Sequence, residues 1–195
     1  MSRLKAPQRK EQLLDVATKL FARYGYEATT TASIAQAAGV TEPILYRHFQ
    51  NKQELFVAIV RAVSDQTMKH WQELVGHTRD PEEQFRLIAG EFPRHILQLA
   101  DQYHVLHGAL STLGSDRKVR AVIKEHYAQI EKFFVRLVQS GQKTGVFRKD
   151  LNPQVFAWQL IMTGIGYAML ALNLSRFDEA LIRSAIDTVM RGLKA

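Results

Sequence analysis

The chain has 195 residues, of which 46% are hydrophobic and none is cysteine. The length and apolar fraction suffice for one or two domains with a hydrophobic core, and the lack of cysteine excludes disulfides, thiolate catalysis and cysteine-based zinc sites. The net charge is +7, and residues 1–52 carry +4 of it, from eight Lys or Arg and four Asp or Glu. This excess favours an anionic partner for the N-terminal part. The first residues lack the apolar core of a signal peptide, so the sequence predicts a cytoplasmic protein.

Apolar residues recur at helical spacing along nearly the whole chain, and no stretch alternates as a strand with turn residues at its ends. The N-terminal quarter contains three predicted helices, marked by a proline in a first turn, threonines as N-caps and glycines as stops. They run from Pro7 to Gly25, from Thr30 to Gly39 and from Thr41 to Phe49.

Further helices are predicted over 51–75, 82–102, 105–113, from 116 to 141 or 145, 153–174 and 179–192. Asn51 and Glu54 have the spacing of a capping box, Pro93 predicts a kink or break, and Asp178 predicts the last N-cap. The fold class is therefore all-α, with about nine helices. A change of composition near residue 52 predicts a three-helix head at 1–52 and a helical body at 53–195.

The stretch from Leu151 to Ser175 carries no charged residue and is long enough to span a bilayer. Polar residues interrupt it, and the sequence has no second such segment. We expect a soluble helix with one face in its own core and the other against a partner subunit, and a membrane span is the alternative. The interrupting residues are Gln154, Gln159, Thr163 and Asn173.

Two short helices separated by three residues, with Gly39 in the turn, match a helix-turn-helix, whose second helix enters the DNA major groove. Glu42 can accept from a cytosine amino group and Ile44 can touch a thymine methyl. Other side chains of this region are phosphate donors, although each could also have a purely structural role. The candidate DNA-binding residues are Thr29, Thr30, Thr31, Thr41, Glu42, Ile44, Tyr46, Arg47, His48 and Lys52.

Residues 9–56 resemble the DNA-binding head of the tetracycline-repressor (TetR) family. The residues that carry the resemblance are Ala17 and Phe21, GYEATT at 25–30, IAQAAGV at 34–40, LYRHF at 45–49 and NKQELF at 51–56. The resemblance implies phosphate contacts at Tyr46, His48 and Lys52, and contacts at or near base edges from Thr41, Glu42, Pro43 and Ile44. The sequence departs from many relatives at 42–44, where they carry a Lys-Gly or similar pair followed by a small hydroxyl residue.

The resemblance also implies a homodimeric repressor whose C-terminal domain binds a small molecule and dimerises. The two C-terminal helices, 153–174 and 179–192, are the candidates for a four-helix bundle between subunits. We expect the effector to be hydrophobic or aromatic, although the same side chains could be plain core. The candidate effector-binding residues are Phe92, His95, Leu99, Tyr103, His107, Leu110, Tyr127, Phe134, Trp158 and Met162.

No motif of a hydrolase, a zinc protease or a nucleotide-binding loop is present. His104 and His107 lie three residues apart, but two histidines without placed carboxylates are a weak zinc signal. We therefore predict no enzyme, no metal and no cofactor. The alternative function is a helical small-molecule carrier or enzyme whose N-terminal helices are only structural.

Overall fold

The computed structural model describes residues 5–112, 116–174 and 179–194. These ranges contain nine α-helices, and their one pairing of extended backbone is an antiparallel bridge between Phe147 and Lys194. The predicted all-α class is thus confirmed. The helices are α1 Ala6–Ala28, α2 Thr31–Ala37, α3 Glu42–Tyr46, α4 Lys52–Val75, α5 Pro81–Gln98, α6 Ala100–Thr112, α7 Arg117–Thr144, α8 Pro153–Leu174 and α9 Glu179–Leu193.

Side-chain caps begin α2 and α4 as the sequence predicts. The Thr30 hydroxyl accepts from the backbone N–H of Ser33 at 3.0 Å, and the Asn51 side chain accepts from the N–H of Glu54 at 2.9 Å. The reciprocal bond differs from a capping box by one residue, because the Glu54 carboxylate accepts from the N–H of Gln50 at 2.6 Å. The carboxylate still satisfies a backbone donor at the start of the helix.

The predicted break at Pro93 is wrong, and the alternative kink stays a prediction. Helix α5 runs through Pro93 to Gln98, and the backbone leaves the helical region only at Leu99, with φ −110° and ψ 29°. A proline removes one N–H donor from the helix ladder, and the neighbouring hydrogen bonds hold the helix here. Helix α6 then begins at Ala100, earlier than predicted.

The first helix is broken at Gly25, where the sequence predicts its end. The backbone of Gly25 has φ 80° and ψ 166°, although helical structure resumes and reaches Ala28. At the other long helices the sequence located the ends well, since Asp116 caps α7 through the backbone N–H groups of 118 and 119, and Gly145 follows its last residue. The predicted cap at Asp178 lies outside the described residues.

The contacts divide the chain into two units, of which the first comprises 1–64 and 100–124. Helix α1 packs against α2 and α6, and its apolar face buries Leu13 and Phe21. The rings of Phe21, Tyr26 and Phe56 form a cluster with centroid distances of 5.5 to 6.2 Å. The predicted head at 1–52 lies in this unit. The predicted boundary between a DNA-binding domain and an effector-binding domain, after residue 52, stays a prediction.

The second unit comprises 65–99 and 125–195. Aromatic contacts centre on Trp71, whose ring centroid lies 5.3 Å from that of Phe134 and 5.5 Å from that of Phe133. Phe134, a predicted effector contact, belongs to this core. The buried cluster consists of Trp71, Phe85, Ile88, Phe134, Leu137, Val138, Phe147, Phe156, Ala157, Met190 and Leu193.

Helix α8 has two faces. One face is buried in the second unit, and its residues are Phe156, Ala157, Ile161, Ala168 and Ala171. The other face is exposed and mainly apolar, and it also carries the exposed polar residues Gln159, Thr163 and Asn173. Its large hydrophobic residues, each 43 to 60% exposed, are Val155, Trp158, Met162, Met169, Leu170 and Leu174. Among the described residues α8 alone is long and apolar enough to span a bilayer, with a mean hydropathy of 1.6, which is weak evidence for a membrane.

Gly141 is the point where the connector after α7 folds back on the helix. A β-carbon at Gly141 would lie 2.0 Å from a ring carbon of Phe147, which is fully buried. The backbone N–H groups of Val146 and Phe147 both donate to the Gly141 carbonyl, at 2.9 and 3.1 Å. Only a residue without a side chain permits this approach of ring to backbone.

We predict that Gly141→Ala lowers the free energy of unfolding by about 1–3 kcal/mol, because the added methyl displaces a buried ring. Gly90→Ala is the matched control, since Gly90 lies inside α5 and a β-carbon there meets no atom within 4 Å. That variant should gain up to about 1 kcal/mol from helix propensity. Urea unfolding of both variants checks the prediction, and equal effects at the two glycines would contradict it.

Candidate functional site

The turn between α2 and α3 creates the helix-turn-helix. Gly39 has φ 66°, a conformation that favours glycine, and its N–H donates to the carbonyl of Gln36 at 3.0 Å. The N–H of Val40 reaches back to the carbonyl of Ala35 at 2.9 Å. This pair of bonds is the Schellman motif, which satisfies the carbonyls at the end of α2. The chain leaves α2 in a new direction, and α3 can begin at Glu42.

Helix α3 is anchored by its apolar side and exposed on the other. Leu45 and Phe49 are 0 and 1% exposed, as expected for the residues that hold this helix to its supports. The remaining candidates face solvent to different extents. Thr41, Pro43, Tyr46 and Arg47 are exposed, whereas Glu42, Ile44 and His48 are half-buried.

Thr41 occupies the N-cap position of α3, as predicted, but its side chain makes no capping hydrogen bond. Its backbone carbonyl instead accepts from the N–H of Ile44 at 2.9 Å. The hydroxyl is therefore not committed to the cap. The base contacts of Thr41, Glu42, Pro43 and Ile44 stay predictions.

A hydroxyl network joins the first turn of α2 to α3. The Thr31 hydroxyl donates to Oε1 of Glu42 at 2.7 Å, and the Tyr46 hydroxyl oxygen lies 3.1 Å from Thr31 Oγ1. The sequence predicts a base-edge contact for Glu42 and gives no sign of its bond to Thr31. The partners are 11 and 15 residues apart, and only the crossing of the two helices brings them together.

Beside this network lies a cleft of about 340 Å³. Its walls carry hydroxyl, amide and ammonium groups, which are donors for phosphate oxygens. Gln50 and Asn51 are members that the sequence analysis did not select, although both are polar residues between two helices. The lining residues are Thr30, Thr31, Tyr46, Gln50, Asn51 and Lys52.

Lys52 is held at the cleft by the end of α1. Its ammonium group donates to the carbonyls of Tyr26 and Glu27, at 2.9 and 3.5 Å, and lies 4.2 Å from the centroid of the Tyr26 ring. These bonds use two of the three ammonium donors, which leaves the third for a phosphate. Burial, with smaller effects of the Glu27 and Asp116 carboxylates, raises the pKa of Tyr26, so its phenol stays neutral.

The structure corrects the predicted DNA contact of Thr29. Its side chain is 2% exposed, and its hydroxyl donates to the carbonyl of Gly25 at 2.8 Å and approaches that of Leu20 at 3.2 Å. The Gly25 carbonyl lies at the point where the backbone of α1 leaves the helical region. Thr29 stabilises this bend, and its neighbours Thr30 and Thr31 line the cleft.

The predicted effector residues fall in both units. Tyr103, His107 and Leu110 belong to the first unit, and the others belong to the second. The ring centroids of Tyr103 and His107 lie 5.8 Å apart, and burial, followed by the charge of His104, lowers the pKa of His107. Leu110 is 43% exposed. In the second unit, Trp158 and Met162 lie on the exposed face of α8, Leu99 is buried, and Tyr127 packs edge-on against His126.

His95 is the centre of a polar cluster in the second unit. It is 3% exposed, its ring stacks parallel to that of His70 at 4.7 Å, and its Nε2 lies 3.2 Å from the hydroxyl of Thr67. Burial, followed by the charge of His70, lowers the pKa of His95 to about 4, so its ring is neutral at pH 7. Thr67 and His70 are not among the predicted effector residues, although their spacing of three residues places them on one face of α4.

Phe92 lies one turn before His95 on α5 and contacts α8. Its ring would approach a β-carbon at Gly164 to 3.1 Å, and its centroid lies 6.0 Å from that of Tyr167. Burial raises the pKa of Tyr167 to about 12, so this phenol is also neutral. The second unit therefore combines aromatic rings with neutral polar groups, which is typical of sites for apolar ligands.

We predict that His95 makes stability depend on pH between 4 and 6.5. The folded pKa is about 4 and the ordinary value 6.5, so the unfolded chain binds more protons in this window and stability falls as the pH decreases. The full effect is at most about 3 kcal/mol. His95→Gln should flatten the curve relative to the wild type in urea unfolding at several pH values.

The control for this prediction is His77→Gln, because His77 is exposed in the loop before α5. That variant should follow the wild-type pH dependence. Parallel curves for His95→Gln and the wild type would contradict the prediction.

Comparison with known proteins finds relatives of the head and of the longer chain. Residues 13–59 match the family model for bacterial regulatory proteins of the tetR family. The transcriptional repressor KstR2 of Mycobacterium tuberculosis is 28% identical over 144 residues, which cover 74% of this chain and 72% of that protein. The transcriptional activator FasR of Mycolicibacterium smegmatis is 33% identical over 91 residues, covering 47% of this chain and 42% of FasR.

The whole fold is also similar to a solved structure. The fatty acid degradation regulator FadR of Bacillus halodurans superposes with a TM-score of 0.86 at 20% identity, covering 98% of each chain. At this identity the similarity shows the fold.

A helix-turn-helix head with exposed phosphate donors, joined to a helical body, defines a DNA-binding transcriptional regulator that responds to a ligand. The family match specifies the head further: residues 13–59 form a DNA-binding head of the TetR family of bacterial regulatory proteins, and the whole chain has the fold of the solved regulator FadR. The relatives of the chain are transcriptional regulators, which are not enzymes.

Proposed function

We propose that the protein is a cytoplasmic, homodimeric repressor that leaves its operator when a hydrophobic small molecule binds the body. The observation that carries the proposal is the cleft of phosphate donors beside the exposed start of α3. Residues 1–52 are the DNA-binding part and residues 53–195 the effector-binding and dimerisation part. Repression is supported by the name of KstR2, a repressor over most of whose length the chain aligns.

In the complex with DNA, α3 lies in the major groove and the cleft faces the backbone. Thr41, Pro43 and Ile44 at the start of α3 meet the base edges, as in other helix-turn-helix proteins. Tyr46, Arg47, His48 and Lys52 meet phosphates, together with Thr30 and Thr31. The phosphate contacts set the orientation and the base contacts set the sequence.

Two copies associate through α8 and α9. The exposed apolar face of α8 carries six large hydrophobic side chains, an unusual concentration for a helix that faces water. Pairing of this face with its symmetry copy buries the side chains. A dimer reads two half-sites about 34–36 Å apart, one turn of DNA.

The effector binds in the second unit, near the cluster of His95, Thr67 and His70. The aromatic surroundings favour an apolar molecule, and the neutral polar groups favour one with a hydrogen-bonding end. A lipid-derived ligand is supported by the names of two similar structures. FadR is named a fatty acid degradation regulator, and KstR2 a ketosteroid transcriptional regulator. Release from DNA requires that the ligand bind one conformation of the dimer more tightly than the other.

The test is fluorescence anisotropy on DNA from upstream of the gene, against a scrambled duplex, at two salt concentrations. The wild type should prefer the native fragment by about 10³-fold or more. Lys52→Ala should weaken binding to both duplexes and reduce the salt slope by about 1, because one phosphate contact is lost. Lys19→Ala is the control, since Lys19 lies in the head but pairs with Asp15 at 2.8 Å.

The same titration tests the effector. Long-chain acyl and steroid compounds should release the native fragment at concentrations that leave the scrambled complex unchanged. Equal, weak binding to both duplexes that disappears at high salt would contradict specific operator recognition by this fragment.

We predict that Met162→Lys dissociates the dimer. The Met162 side chain is 60% exposed in the single chain and would be buried in the proposed interface, where a lysine carries an unpaired charge. Gln139→Lys makes the same change of charge at an exposed position of α7 and should stay dimeric. Sedimentation velocity at micromolar concentration checks both, and a dimeric Met162→Lys would contradict the interface.

A further inference from the structure

The hydrogen atoms of the Thr31–Glu42–Tyr46 network can be assigned from chemistry. A carboxylate only accepts, so the single hydroxyl hydrogen of Thr31 lies on the bond to Glu42. The 3.1 Å contact between the Thr31 and Tyr46 oxygens then needs the hydrogen of Tyr46. The two bonds run in one direction, from Tyr46 to Thr31 to Glu42, and point into the head.

This direction is opposite to the one that DNA needs. A phosphate oxygen is an acceptor, and Tyr46 in the free head presents lone pairs, rather than a hydrogen, to the outside. When Tyr46 turns its hydrogen to a phosphate, its oxygen and that of Thr31 face each other without a hydrogen. Thr31 can supply one only by turning away from Glu42, and the half-buried carboxylate then loses its partner.

We propose that Glu42 is a positioning residue that locks the Tyr46 and Thr31 hydroxyls in the unbound arrangement and lowers the affinity of the head for DNA. The proposal rests on DNA binding by the head and is independent of the effector response. Because phosphate contacts are the same at every sequence, the lock weakens binding to all duplexes equally. Recognition of the operator then depends more on the base contacts of α3.

Glu42→Gln tests the lock because an amide can donate. The introduced N–H can donate to Thr31 Oγ1, Thr31 can donate to Tyr46, and Tyr46 is free to donate to a phosphate. We expect the full-length variant to bind a random-sequence duplex about tenfold more tightly than the wild type. Measurement on random sequence excludes an effect that comes from reading one base pair.

Glu27→Gln is the matched control, because it removes one negative charge from an exposed carboxylate at the end of α1. Its gain in affinity should be smaller and should shrink between 0.1 and 0.5 M salt, since the gain is a screened charge effect. The gain of Glu42→Gln beyond this control should persist at the higher salt, because a rearranged chain of neutral hydroxyls releases no counterion.

A second comparison isolates the network. In a Thr31→Val background the chain of hydrogen bonds is absent, so Glu42→Gln should gain no more than Glu27→Gln does in the same background. Thermal unfolding of each variant confirms that it is folded before binding is compared.

The lock is supported if Glu42→Gln raises the affinity for DNA more than Glu27→Gln does, and if this difference disappears in the Thr31→Val background. An affinity equal to that of Glu27→Gln, an affinity below that of the wild type, or a change confined to the preference for one base pair would overturn it. A wild type that binds no duplex would instead refute the DNA-binding function itself.

Discussion

Burial of Leu45 and Phe49 is the constraint on which the DNA-binding surface depends. Helix α3 has five residues, too few to be stable in water alone, so its conformation comes from packing. The two side chains are almost completely buried, and every exposed residue of α3 takes its orientation from them. The turn at Gly39 sets the direction of α3, and the burial of Leu45 and Phe49 keeps it rigid. A helix that must fit a DNA groove requires both.

The polar side chains of the head have internal hydrogen-bond partners in the free protein and are also the proposed phosphate donors. In the free protein Lys52 donates to the carbonyls at the end of α1, and Thr31 and Tyr46 are committed to each other and to Glu42. The same ammonium and hydroxyl groups are the phosphate donors of the proposed complex. Internal partners keep the side chains ordered before DNA arrives. Lys52 retains a third donor for a phosphate, whereas the bonds of Thr31 and Tyr46 must be exchanged in the proposed complex. In the proposed lock, the strength of these hydroxyl bonds therefore contributes to affinity.

The second unit shows a different relation between burial and function. Its core is aromatic, yet it contains polar side chains such as His95 and Tyr167. Burial lowers the pKa of His95 and raises that of Tyr167, so both side chains are neutral at pH 7. Helix α8 joins this core on one face and carries exposed apolar side chains on the other. A helix of this composition needs cover on both faces, and the proposed dimer provides it without a membrane.

Local sequence signals were sufficient for the all-α class, for most helix ends and for the helix-turn-helix, because caps, glycine stops and helical periodicity act within a few residues. Thr30 and Asn51 cap their helices as predicted, and Asp116 lies at the predicted start of α7. The same local signals failed at Pro93, where the remaining hydrogen bonds of α5 outweighed one missing donor.

The tertiary structure decided which polar groups meet. Three examples show this: the bond from Thr29 to Gly25, the bond from Thr31 to Glu42 and the stacking of His70 on His95. In each, the two residues meet because of the way the chain or its helices fold back. Residue type and spacing therefore determined what this protein is, a helical DNA-binding regulator. The packing of helices determined which of its hydroxyls, carboxylates and imidazoles are free to act, because hydrogen bonds form only between groups that the fold places within about 3 Å.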